Sequence, residues 1–127
     1  MRTALRNEDG FTLIELVIVI VILGILASVA IPRYEDMREQ ARVATLKGQL
    51  GSIRSAISIQ YGRNALNNSP GFPVLDATIF ADGKIPKEPV MNSNAVKTTG
   101  GVDNAGGWQY TQPSGLVKVN LSAYSSY

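Results

Sequence analysis

From Phe11 to Ile31 the chain runs for 21 residues with three polar side chains, Thr12, Glu15 and Ser28, and a single charge, Glu15. As a helix rising about 1.5 Å per residue, this run is about 31 Å long, enough to cross a hydrocarbon core of about 30 Å. Val17 to Ile22 is β-branched throughout and in water would favour a strand. A lone strand cannot satisfy its backbone in lipid, so a membrane position forces a helix. An acidic side chain at mid-membrane costs about 2.5–3.5 kcal/mol. Glu15, near the start of the run, therefore needs either the interface or a partner charge.

On these grounds three readings stay open. The first is a secretory signal peptide, with Leu16–Leu26 as its apolar core and Ser28-Val29-Ala30 as a small-x-small cleavage site. Against it, Glu8, Asp9 and Glu15 stand among Arg2 and Arg6, and the helical pattern continues past the cut. The second is a plain anchor with Glu15 reaching the headgroups. The third is a span in which Glu15 is held by a partner charge.

Gly10, then Phe11-Thr12-Leu13-Ile14-Glu15, the apolar stretch, and Pro32 just beyond it resemble the N-terminal signature of type IV pilins and type II secretion pseudopilins. The resemblance implies that a prepilin peptidase/methyltransferase cuts between Gly10 and Phe11 and methylates the new Phe11 amine. Residues 1–10 are then a leader, left out of fold reasoning. It also implies that Glu15 pairs with the Phe11 amine of a neighbouring subunit, a charge that exists only after cleavage. The implied partners are copies of the chain itself in a homopolymeric filament, the peptidase, an inner-membrane assembly machine, and membrane lipid before assembly. The implied location is the inner membrane, single-pass with the C-terminal region outside the cytoplasm, and then a periplasmic or cell-surface filament. Charge counting does not set this orientation, because Arg2 and Arg6 on one side face Arg33, Arg38, Arg42 and Lys47 on the other.

The residue inventory narrows the chemistry. The 127 residues include no cysteine and no histidine, which excludes disulfides, Cys- or His-containing metal sites and His- or Cys-based triads. A net charge of +2 without a basic cluster gives no nucleic-acid partner. Asp103-Asn104, Asp76 and Asp82 are oxygen donors of the kind calcium takes, but they form no closely spaced series. No metal, no cofactor and no enzymatic activity are expected.

The expected fold is α+β: a long N-terminal helix packed against a small C-terminal antiparallel sheet or hairpin, as in pilins. The helix is expected to run to about Tyr61, kinked near residues 28–32 by Pro32 and loosened by Gly24. Its segments are 11–31 for the membrane or filament core and 32–62 for an amphipathic half, followed by a small globular region at 63–127. Val43, Leu46, Leu50, Ile53, Ile57 and Tyr61 recur at spacings of three or four and need a cover. Gly48 and Gly51 read as close-packing positions under the sheet. Residues 62–75 read as a loop, Asp76–Phe80 as a short helix or turn capped by Asp76, and Ile85–Pro89 as a proline-bearing turn resembling that of secretion pseudopilins. There Glu88-Pro89-Val90-Met91 stands in place of the Asp-Pro-Trp-Gly typical of the major pseudopilin. A short strand is expected at Ala95–Thr98, then a hairpin of Gly107–Thr111 and Leu116–Leu121 around Gln112-Pro113-Ser114-Gly115. Trp108 and Tyr110 share one face of that hairpin and are expected to pack on the helical stripe.

Three functions follow: a structural pilus subunit, a pseudopilin moving exoproteins across the outer membrane, or a membrane-anchored binding module using loops 62–75 and 92–107.

Overall fold

The computed structural model describes residues 10–127. A single α-helix, α1, spans Leu13–Leu66, passing through Gly24 and Pro32 without ending. Two compact units share it, divided between Glu39 and Gln40. In the first unit every large apolar side chain from Phe11 to Ile31 is exposed, from 38% at Val17 to 91% at Phe11. Among the described residues, no part of the apolar window is buried. The β-branched run Val17–Ile22 is helical here, so the required backbone hydrogen bonds override its strand propensity.

The second unit, Gln40–Tyr127, has its own core. Leu46, Leu50, Ile53 and Ile57 of α1 bury their side chains with Leu75, Trp108, Tyr110, Val117, Val119 and Leu121. Val43 is half-buried and Tyr61 is exposed, its ring 4.7 Å from that of Phe72. The sheet orders β1 (Val96–Lys97), β2 (Trp108–Thr111) and β3 (Leu116–Val119) side by side. β2 and β3 form an antiparallel hairpin pairing Trp108 with Val119 and Tyr110 with Val117. β1 joins β2 in parallel, so the sheet is mixed. Alternation along β2 and β3 puts Trp108, Tyr110, Val117 and Val119 on the core face and Leu116 and Lys118 outside.

Gly107 enters β2 with φ +78°, and a Cβ there would run into the Ala95 carbonyl oxygen that receives the Trp108 N–H. At the hairpin turn, Gly115 takes a left-handed conformation with φ +66°, and a Cβ would strike the Phe72 ring. Gly48 and Gly51 correct the close-packing expectation: a Cβ at either meets nothing within 4 Å. Both face solvent, and the close approaches are made by the loop glycines instead.

α1 also runs past its expected end to Leu66. Its stop is Asn68, at φ 56°, with the Ser69 N–H bonded to the Asn64 carbonyl and the Asn68 N–H to the Ala65 carbonyl. This is the paired closure of a left-handed helix terminus. A short 3₁₀ turn at Ala77–Ile79 follows, capped by Asp76, whose carboxylate accepts the Thr78 N–H at 2.8 Å.

Candidate functional site

Gly10, Phe11 and Thr12 precede the first helical residue, and all three are exposed. The Gly10–Phe11 peptide bond therefore lies outside regular structure. Ser28, Val29 and Ala30, the alternative cleavage position, lie inside α1.

One turn into the chain after Phe11, Thr12 and Glu15 form a reciprocal cap. The Thr12 N–H donates to Glu15 Oε2 at 2.8 Å and the Thr12 hydroxyl donates to the same oxygen at 2.9 Å. The Glu15 N–H in turn donates to Thr12 Oγ1 at 3.2 Å. A Thr followed three residues later by Glu, before an apolar run, is the capping-box pattern. It satisfies two of the backbone donors that a helix start leaves open. It also places a negative charge at the positive end of the helix dipole. The remaining polar group of the span, the Ser28 hydroxyl, donates to the Ile25 carbonyl at 2.7 Å. Each polar side chain between Phe11 and Ile31 is thus hydrogen-bonded within its own helix. That satisfies their hydrogen bonding without a partner chain, while the Glu15 charge itself still calls for the interface or a partner charge.

In the sequence Glu15 stands out by its charge alone, and the T-x-x-E spacing is the signal that marks Thr12 as its partner. Gly24 and Pro32 both lie within α1, and a Cβ on Gly24 would meet nothing. Leu46, Leu50, Ile53, Ile57, Trp108 and Tyr110 are brought together in the core of the second unit.

The aspartates considered as oxygen ligands hold different partners. Asp103 Oδ2 lies 2.6 Å from Lys97 Nζ. Asp103 Oδ1 accepts from Asn120 Nδ2 at 2.6 Å and from the Ala105 N–H at 3.0 Å. The Lys97 ammonium foremost, then the Ala105 N–H and the Asn120 amide, hold the Asp103 carboxyl down to about 2. Asp76 caps its 3₁₀ turn, and Asp82 accepts the Lys84 N–H at 3.2 Å. A fourth carboxylate, Glu88, is fully buried and accepts the N–H groups of Val90 and Met91 at 2.7 and 2.8 Å.

Residues 5–31 match the family model described as the prokaryotic N-terminal methylation motif. The chain is 35% identical over 117 residues to the type IV narrow pilus major component PilA5 of Thermus thermophilus, covering 92% of this chain and 83% of that one. It is 35% identical over 96 residues to the type II secretion system core protein G of Pseudomonas aeruginosa, covering 67% and 68%. It is 30% identical over 130 residues to fimbrial protein Q of Moraxella bovis, covering 92% and 71%. No solved structure matches it. The fold and the opening motif define a pilin-type structural subunit. The chain belongs to the type IV pilin and pseudopilin family.

Proposed function

We propose that the protein is the building subunit of a type IV pilus-like filament, cut after Gly10, N-methylated on Phe11 and assembled by packing of the Phe11–Ile31 helices. The carrying observation is the Thr12–Glu15 cap, which sits directly after an exposed, non-helical Gly10–Phe11 bond and at the head of a wholly exposed apolar helix. A peptidase needs an extended, accessible peptide, and cleavage leaves an ammonium four residues from a carboxylate. In the membrane the cap holds the Glu15 charge. In the filament the neighbour's Phe11 ammonium becomes its partner, so removal of the leader and assembly are linked. The helices then exchange lipid for identical neighbours, and a repeated head-to-tail contact that does not close generates a fibre. Gly24 and Pro32 give the helix compliance within that packing, as positions where backbone hydrogen bonding is weakened.

In this reading residues 1–10 are the leader, 11–31 the span and filament core, 32–62 the amphipathic half and 63–127 the globular region. Before assembly the subunit is single-pass in the inner membrane with its C-terminal region outside the cytoplasm. It has no catalytic role and works with the prepilin peptidase and an assembly machine. The likeness to secretion core protein G supports a second reading, a pseudopilin of a short exoprotein-moving fibre. The pilus component shares the same identity over more of the chain, which favours the pilus.

Mass spectrometry of the N-terminus from the native host tests the reading. A chain beginning at N-methylated Phe11 is expected. A chain beginning at Ile31 would replace it with a signal peptide, and an intact Met1 with a plain anchor. Deletion then separates the two fibres: loss of surface filaments marks the pilus, and loss of exoprotein release marks the pseudopilin.

A further inference from the structure

Formal charge is unevenly divided along the chain. Residues 10–39 hold two arginines against four carboxylates, a formal −2, and residues 40–127 hold eight Lys and Arg against four Asp and Glu, a formal +4. Of those last four carboxylates, Glu88 is fully buried and Asp103 is paired with Lys97. The solvent-facing charge of the second unit is therefore more one-sided than its formal charge.

Arg63 lies at the end of a groove of about 390 Å³ whose apolar lining includes Ala56, Ile59, Ile79 and Phe80. Ile59 is 59% exposed, and the Arg63 guanidinium has no hydrogen-bond or ion-pair partner among the described residues. Ile59 and Arg63 are four residues apart and form one stripe of the helix, apolar and then cationic. Ile31 and Glu35 make the complementary stripe at the same spacing, apolar and then anionic. Ile31 is 62% exposed, and the Glu35 carboxylate likewise has no polar partner among the described residues.

We propose that the Ile59–Arg63 groove of one subunit receives the Ile31–Glu35 stripe of a second copy in the filament. The proposal rests on the filament reading. Subunits leaving one membrane by the same end share one polarity, so their helices run parallel. Parallel stripes of equal spacing meet along their length, with Ile31 on Ile59 and Glu35 on Arg63. The register between them is 28 residues. The groove's apolar lining excludes water from around the ion pair, which strengthens it over an exposed one. The other occupant an arginine groove could hold, an anionic lipid headgroup, offers charge without the matched apolar step.

The absence of native cysteine makes the contact directly testable. Filaments are sheared from the native host carrying Glu35→Cys together with Arg63→Cys, treated with a short bis-maleimide that spans the reach of the lost Glu and Arg side chains, and run on denaturing gels. A ladder of dimers and higher multimers is expected from the double variant and from neither single variant. Filaments that form but give only monomer would overturn the contact and leave the filament reading standing. A wild-type chain that forms no filament at all, remaining monomeric in the membrane, would overturn both. Because the cysteines remove the ion pair, charge reversal gives a second reading. Glu35→Arg and Arg63→Glu each lower filament yield by about fivefold or more, and the two together restore it. Arg63→Cys should react with maleimide in membrane subunits and be protected in filaments; equal reactivity in both would place lipid or solvent, not a second copy, over the groove.

Discussion

Trp108 and Tyr110 bury large rings, and each also carries a polar atom that cannot be left dry. Trp108 Nε1 donates to the Pro86 carbonyl at 2.7 Å, and the Tyr110 hydroxyl donates to the Pro73 carbonyl at 2.6 Å. Both acceptors lie on proline-bearing loops outside the strand ladder, where carbonyls remain available. The prolines that rule out a central strand thus supply the anchors for the sheet's aromatics. Burial raises the Tyr110 phenol above its ordinary value. Tyr110→Phe should lower stability by about 1 kcal/mol, since the Pro73 oxygen loses its donor while ring packing is kept. Denaturant unfolding of the full chain in detergent, followed by the fluorescence of the lone Trp108, measures this. Asp103 gives a pH prediction. Its carboxyl falls from an ordinary 3.8 to about 2 in the fold, so its contribution is complete above about pH 3.8 and is lost as pH falls through about 2. The pair is partly exposed, so the effect is local. NMR titration should put the Asp103 midpoint near 2, and Lys97→Met should move it upward.

At the scale of elements, the end of α1 shows what local sequence carries and what it hides. Gly62 is a strong punctuation mark in sequence, yet the helix passes through it. The true stop is Asn68 in the left-handed region, with the Asn64 side chain bonded across the loop to the Gly71 carbonyl. Glycine weakens a helix interior by about 1 kcal/mol, which the packed turns of Ile53 and Ile57 before it offset. Asn68→Val should therefore destabilise by about 1–2 kcal/mol, and Asn68→Gly should be neutral or stabilising, in the same unfolding measurement. The hairpin was legible because strand alternation and the Pro-Ser-Gly turn agree. The Leu46–Ile57 stripe was legible because its 3.6-residue period persists over three turns. The parallel pairing of β1 was not legible: two residues in a Gly- and Asn-rich stretch carry no periodic signal, and their place depends on the distant Gly107 turn. Gly48 and Gly51 misled for the converse reason, since a glycine in a helix does not say which face it occupies.

For the molecule as a whole, the decisive fact is a helix whose first third finds no cover within its own unit. Its apolar surface requires lipid or other chains, and its single charge must be tolerable in both. The Thr12–Glu15 cap satisfies the carboxylate's hydrogen bonding within the chain, and it allows this capping role to be separated from the proposed role of Glu15 in assembly. A glutamine at position 15 can still accept the Thr12 N–H and hydroxyl through its amide oxygen, because the capping box takes Glu or Gln. It cannot offer a neighbour's ammonium a charge. If Glu15 serves only the helix start, Glu15→Gln assembles normally and Glu15→Ala is the impaired variant. If the carboxylate is the assembly partner of Phe11, both variants insert but neither yields normal filaments. Thr12→Val, which keeps the charge and removes the hydroxyl, falls between them. We expect the second pattern, read as the ratio of sheared filament to membrane-bound subunit on immunoblots. Equal ratios for wild type and Glu15→Gln would reduce Glu15 to a cap and show that assembly does not depend on its charge.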